Sequence, residues 1–239
     1  VIAPAGLLVL MTVAAYWPAT DGGFIWDDDR HVVQNRSLRS IDGLGQIWFQ
    51  IGATPQYYPM VHTSYWLEYQ IWGLNPAPYH MNNVLLHCAG VVLLWRVLTL
   101  LNLPGAWIAA AVFALHPIHV ESVAWITERK NVLSGFFYLW AAWAYLRFLP
   151  MDGSDAGNFR TNSVRYYRLT WLAFIAALLS KTVTASLPVA LLLITWWKRR
   201  SIQWRDVVYL GPLLAVGIVM GLTTAYLEKV HVGAQGVDW

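Results

Sequence analysis

The chain has 239 residues, of which 57% are hydrophobic, 15% aromatic and only 12% charged, with a net charge of +3. Soluble domains carry about 25% charged residues, so this composition leaves too little polar material to coat a globule and excludes a soluble cytosolic enzyme. A single cysteine, Cys88, excludes a disulfide scaffold, the apolar content excludes disorder, and unalternating apolar runs exclude a barrel, leaving an all-α polytopic membrane protein whose helices satisfy their own backbone in lipid.

Crossing roughly 30 Å of hydrocarbon takes about 20 helical residues. About seven runs are candidate spans: residues 1–20, 81–103, 106–119, 132–146, 169–180, 182–197 and 207–227. Two are short, 106–115 and 169–180, so their polar ends must sit below the surface in a bundle or a wet cavity. Those ends are His116 to Glu121 and Ser180-Lys181-Thr182.

Orientation follows from basic residues in alternate loops. Arg96, Arg147, Arg160, Arg165, Arg168, Lys198, Arg199, Arg200 and Arg205 fall on one side against only Asp152, Asp155 and Asp206, which predicts that this side is cytoplasmic. The other side carries the remaining acids and all seven histidines, so any chemistry faces outward. Its main segment is loop 21–79, with the acidic turn Asp27-Asp28-Asp29 and two aromatic stretches, 41–50 and 60–72, that suit short interfacial helices. Residues 150–168, polar and rich in Gly, Ser and Asn, read as a flexible cytoplasmic linker.

The turn Asp27-Asp28-Asp29 is either an Asp-rich cap or a site, since adjacent carboxylates repel and raise at least one pKa toward a general base's range. His116, His119 and Glu121 could offer metal ligands, so a divalent metal is an open possibility. Pro117, however, breaks the helix that would align the histidines, and no known zinc spacing matches; no metal site is assigned. Arg129-Lys130 can grip a phosphate diester or simply anchor to headgroups. Lys181, ending a span too short to reach the surface, either serves a site or snorkels. Glu68, alone in an aromatic stretch, could pair with one of these cations. Carboxylates and phosphate-gripping cations on one face suggest a transferase with a lipid-phosphate donor.

The ordered set FIWDDDR (24–30), QYYPMVHTSYWLEYQIW (56–72), GLNP (73–76), Tyr79-His80, NVLLH (83–87), HPIHVE (116–121), ERKNVLSG (128–135) and Ser180-Lys181-Thr182 resembles the membrane part of the transmembrane and tetratricopeptide-repeat O-mannosyltransferases and their bacterial family 39-like counterparts. The resemblance implies a GT-C bundle and an inverting transfer of a sugar, usually mannose, from polyprenyl or dolichyl phosphate to a protein Ser or Thr hydroxyl. It carries the catalytic acidic pair onto Asp27 and Asp28 and donor-phosphate binding onto Arg129 and Lys181, with Lys130 beside them; His116, His119, Glu121 and Glu68 are supporting candidates. Asn131 and Thr182 stand where eukaryotic members tend to carry acids, which bears on sugar and acceptor. The chain corresponds to the N-terminal portion of such a protein, with the helical repeats expected beyond it. The implied setting is a multi-pass protein of a bacterial inner membrane facing the periplasm, or of the ER membrane in a eukaryote, with lipid and protein partners and no nucleic acid. The contrasting class, a non-catalytic scaffold or transporter subunit, predicts a polar path through the bundle rather than a cavity open to one side.

Overall fold

The computed structural model describes residues 2–149, 159–227 and 229–230, and is helical, with no strand among the described residues. Each expected apolar run lies on a helix. The first, α1 (Ile2–Tyr16), is extended by a tight turn at Trp17–Asp21. Next come α2 (Ile41–Phe49), capped by the Ser40 hydroxyl, which accepts from Gly43 N, and α3 (Pro59–Trp72), stopped by Gly73 at φ +59°. Asn75 caps α4 (Pro76–Leu100), and Pro76 sits where its missing N–H costs nothing. The remaining helices are α5 (Ala106–Leu115), α6 (Val120–Ala124), α7 (Arg129–Phe148), α8 (Phe159–Leu178), α9 (Leu187–Arg199) and α10 (Trp204–Leu227).

Among the described residues, length and apolarity qualify three segments to cross a membrane: Ala3–Asp21, α4 and α10; α5 with the following turn and α6, bent by 50°, would make a fourth. Helices stand in the seven places where spans are expected, but length and apolarity together suffice in only three or four, so about seven spans is not shown. α9 has 13 residues, α7 opens on Arg129 and Lys130, and α8 carries several arginines. The expected linker 150–168 lies partly outside the described residues, and its remainder is helical from Phe159. The reason is aromatic packing, with Tyr166 on Trp143 of α7 and Tyr167 on Phe148, at ring distances of 5.8 and 5.0 Å.

The two largest of the buried clusters join most of the helices, while smaller ones around Val84 and Cys88 and around Leu8, Val91 and Ala110 hold α1 and α5 to α4. Tyr145, Phe174, Leu178, Leu191, Leu210 and Leu213 join α7 through α10, and the buried Asp206 closes their turn by pairing with Arg199 at 3.0 Å. At the other end Val32, Leu38, Ile47, Val61, Tyr65, Tyr79 and Ile126 tie the 21–75 segment to α4 and α7. Apolar side chains such as Leu10, Ile108, Leu193 and Leu222 remain exposed around the helices, as lipid-facing surfaces require. α2 packs so closely over the preceding turn that a Cβ on Gly43 would fall 2.1 Å from Ser37 O.

Candidate functional site

The acidic turn separates its carboxylates by environment. Asp27 and Asp29 are exposed, whereas Asp28 is wholly buried. Asp28 Oδ2 accepts from Ile25 N and Oδ1 from Thr127 N, each at 2.9 Å. Burial pushes the Asp28 carboxyl above its usual range, partly offset by these hydrogen bonds. The raised pKa anticipated for this turn therefore arises from desolvation rather than from repulsion among neighbouring aspartates.

Thr127 is the last residue of a stretch held side chain by side chain. His80 Nδ1 donates to Ala124 O at 2.7 Å, Asn83 Nδ2 to Trp125 O at 2.8 Å, and the Tyr65 hydroxyl to Ile126 O at 2.7 Å, before Asp28 takes Thr127 N. Three different elements thus fix the backbone that leads into α7.

Arg129 and Lys130, grouped together by sequence, part company in the fold. Arg129 is 1% exposed: its Nη1 reaches Glu68 Oε2 at 2.6 Å and Ser64 Oγ at 3.2 Å, Nε donates to Asn83 Oδ1, and Nη2 donates to Tyr79 O. Glu68, 3% exposed, also accepts from Asn82. Burial pushes the Glu68 carboxyl up, and the adjacent guanidinium pulls it back. The pairing of Glu68 with a cation is present as expected, but it occupies the guanidinium. A side chain so enclosed has no open face for a donor phosphate, so the expected phosphate contact for Arg129 is revised to a clamp between α3, α4 and α7.

Lys130 and Lys181 meet instead through two residues of the α7 entrance. Lys130 Nζ pairs with Glu128 Oε1 at 2.9 Å, the Asn131 amide donates to the other Glu128 oxygen, and Lys181 Nζ donates to Asn131 Oδ1 at 2.6 Å. Asp28 adjoins this string through Thr127. His31 of the acidic turn lies within electrostatic reach of Lys130, Asp27 and Glu128. Its ring stacks on His62 of α3 at 5.4 Å, and burial lowers the two imidazoles to about 4 and about 3.

His116 and His119 do not converge on an ion. His116 is exposed and accepts from Ile118 N, while His119 packs on Phe113 at 4.4 Å. Among the described residues no three His, Cys, Asp or Glu side chains form a metal-holding group. His119 instead lines a cavity of about 270 Å³ with Ser122 and Asn131 at its polar end and Leu86, Phe136 and Leu139 beyond. Phe136 also borders an apolar groove of about 550 Å³ between α1, α4 and α7, lined by Val9, Leu85, Cys88 and Trp140. Glu121, exposed, faces a third cavity of about 340 Å³ together with Gly22, Trp26, His80 and Trp125.

Sequence reasoning missed Asn82, Asn83, His80, Trp125 and the linking role of Asn131. Two adjacent amides inside the apolar run of α4 were the available signal, because amides in such a run need partners.

These features define, among the described residues, a helical protein with apolar helices long enough to cross a membrane and one polar end where carboxylates and lysines gather. The chain is similar to the protein O-mannosyl-transferases TMTC2 of Mus musculus, 33% identical over 155 residues, and TMTC3 of Homo sapiens, 30% identical over 158 residues. These alignments take in 60% and 62% of this chain and 18% and 17% of those proteins. TMTC1 of Homo sapiens is 29% identical over 184 residues, 70% of this chain and 21% of that protein. The chain thus spans about a fifth of the length of the curated relatives it matches. No family model and no solved structure matches it.

Proposed function

We propose that the chain is the membrane part of a multi-pass GT-C glycosyltransferase that moves mannose from a polyprenyl- or dolichyl-phosphate donor to a Ser or Thr hydroxyl of a protein on the outer face. The observation that carries this reading is the junction of the acidic turn with the Lys130–Glu128–Asn131–Lys181 string at one polar end, in a chain similar to proteins named O-mannosyl-transferases. Asp27, exposed beside the anchored Asp28, removes the acceptor proton. The acceptor oxygen bonds to the sugar C1 as the C1–O bond to phosphate breaks, and the electron pair leaves on the phosphate. Lys130 and Lys181 stabilise that charge, and Asp28 positions the turn. The cavity bordered by Asn131 and Phe136 suits a phosphate at its polar end, and the adjoining groove suits an isoprenoid chain.

The test is transfer of labelled mannose from polyprenyl phosphate to a Ser/Thr peptide by the full-length protein. Asp27→Asn lowers kcat by about 10²–10⁴-fold, the usual worth of a general base, without lowering the unfolding midpoint. Asp28→Asn lowers both activity and midpoint, because one carboxylate oxygen that accepts a backbone N–H is replaced. Unchanged activity in Asp27→Asn would overturn the assignment of the base.

A further inference from the structure

The third cavity holds two polar atoms that the proposed transfer leaves unused. His80 is 4% exposed, and with Nδ1 donating to the Ala124 carbonyl, the neutral form of the ring presents Nε2 as an acceptor. That Nε2 has no hydrogen-bond partner among the described residues. Nor does Trp125 Nε1, which can only donate. Both side chains line the same space of about 340 Å³, with Gly22 and Gly23 also in its lining. A Cβ on Gly22 would stand 3.1 Å from His80 Nε2, so the absence of a side chain keeps that nitrogen approachable.

The rim adds two further observations. Trp26, 77% exposed, is held at φ +48°, a left-handed conformation that a bulky residue adopts only where the surroundings impose it. Its ring meets Trp125 edge to face at 5.3 Å. Glu121 adds an exposed carboxylate to the lining.

One buried acceptor and one buried donor in a single cavity, roofed by indoles, complement a group that both donates and accepts. We infer that this cavity is a hydroxyl-recognition subsite: a substrate O–H donates to His80 Nε2, and a hydroxyl oxygen of the same ligand accepts from Trp125 Nε1, with Trp26 covering it. The inference rests on the transferase reading for its ligand's source, which is either the acceptor's Ser or Thr side chain or the sugar ring of the donor. His80 and Trp125 are then positioning residues for the hydroxyl chemistry that Asp27 performs.

The test reads binding without turnover. Saturation-transfer NMR on the detergent-solubilised full-length protein is run with methyl α-D-mannopyranoside, with a Thr-containing peptide, and with the same peptide carrying Val for Thr. One hydroxyl probe binds wild-type protein, and its Kd rises at least tenfold in Trp125→Phe and in His80→Phe. Trp125→Phe keeps an aromatic ring against Trp26 while removing the unpartnered N–H and part of the indole, so the unfolding midpoint is measured beside the Kd: a merely structural residue would lose stability and keep its Kd. Mannoside binding assigns the subsite to the sugar, and binding of the Thr peptide over the Val peptide assigns it to the acceptor. Equal binding of the two peptides with no mannoside binding, or unchanged Kd in Trp125→Phe, overturns the inference. Absence of transfer by wild-type protein bears on the transferase reading alone.

Discussion

Arg129 shows how far two neighbouring residues can differ. Successive helical residues are set about 100° apart, so Arg129 and Lys130 leave α7 in different directions, one into the Glu68–Asn83–Tyr79 nest and one toward Glu128. A residue string written as Arg-Lys reads as one basic patch, and only the third dimension separates a clamp from a contact. Glu68 was easier to read, because a lone acid in an aromatic stretch must find a cation. With the pair 1% and 3% exposed, removing one partner strands a buried charge. Arg129→Met and Glu68→Leu should each cost about 3–5 kcal/mol, while the double variant recovers most of the loss. Unfolding midpoints in detergent, taken as a double-mutant cycle, check this; additive losses would refute the clamp.

At the scale of elements, hydropathy located the helices well, since apolar runs in a membrane chain have few alternatives to helix. The breaks were legible too: Pro117 bends α5 away from α6, and Gly73 ends α3. What hydropathy leaves open is how the acidic turn docks on α3, because stacked rings such as His31 and His62 carry no pattern in one dimension. That stack makes the docking acid-sensitive. Both rings are neutral when folded, with pKa values lowered to about 4 and about 3, while in the unfolded chain they charge below their usual value of 6.5. The unfolded state therefore binds more protons as pH falls. The stability these rings contribute is complete above pH 6.5 and is lost as pH falls from 6.5 to about 4 for His31 and to about 3 for His62, at about 1.4 kcal/mol per ring per pH unit. Asp28 and Glu68, both raised by burial, act with the opposite sign in the range above ordinary carboxylate values. His62→Phe should flatten the acid limb of the midpoint-versus-pH curve; an unaltered curve would show that the stack does not govern it.

For the whole molecule, composition alone established a membrane protein, and the charge distribution predicts which end faces the cytoplasm. The number of complete crossings was not legible, since a 10-residue apolar run such as α5 serves equally as half a span or as a packed core helix. Cys88, the only cysteine, is buried and leaves a quiet background for topology mapping. Cysteines introduced at Asp29 and at Arg200 should label with a membrane-impermeant maleimide from opposite sides of sealed vesicles. Labelling of both from one side would refute the assigned orientation.

The backbone stretch from Ala124 to Thr127, fastened by His80, Asn83, Tyr65 and Asp28, also sets an order of events during synthesis. Asp28 waits for a partner 99 residues later in the chain, and Glu68 for one 61 residues later. A growing chain halted before Thr127 would present its first extramembrane segment with an unfastened acidic turn and an uncompensated glutamate. The fourth, fifth and sixth helices are therefore made before the acidic turn and the third helix can complete these contacts.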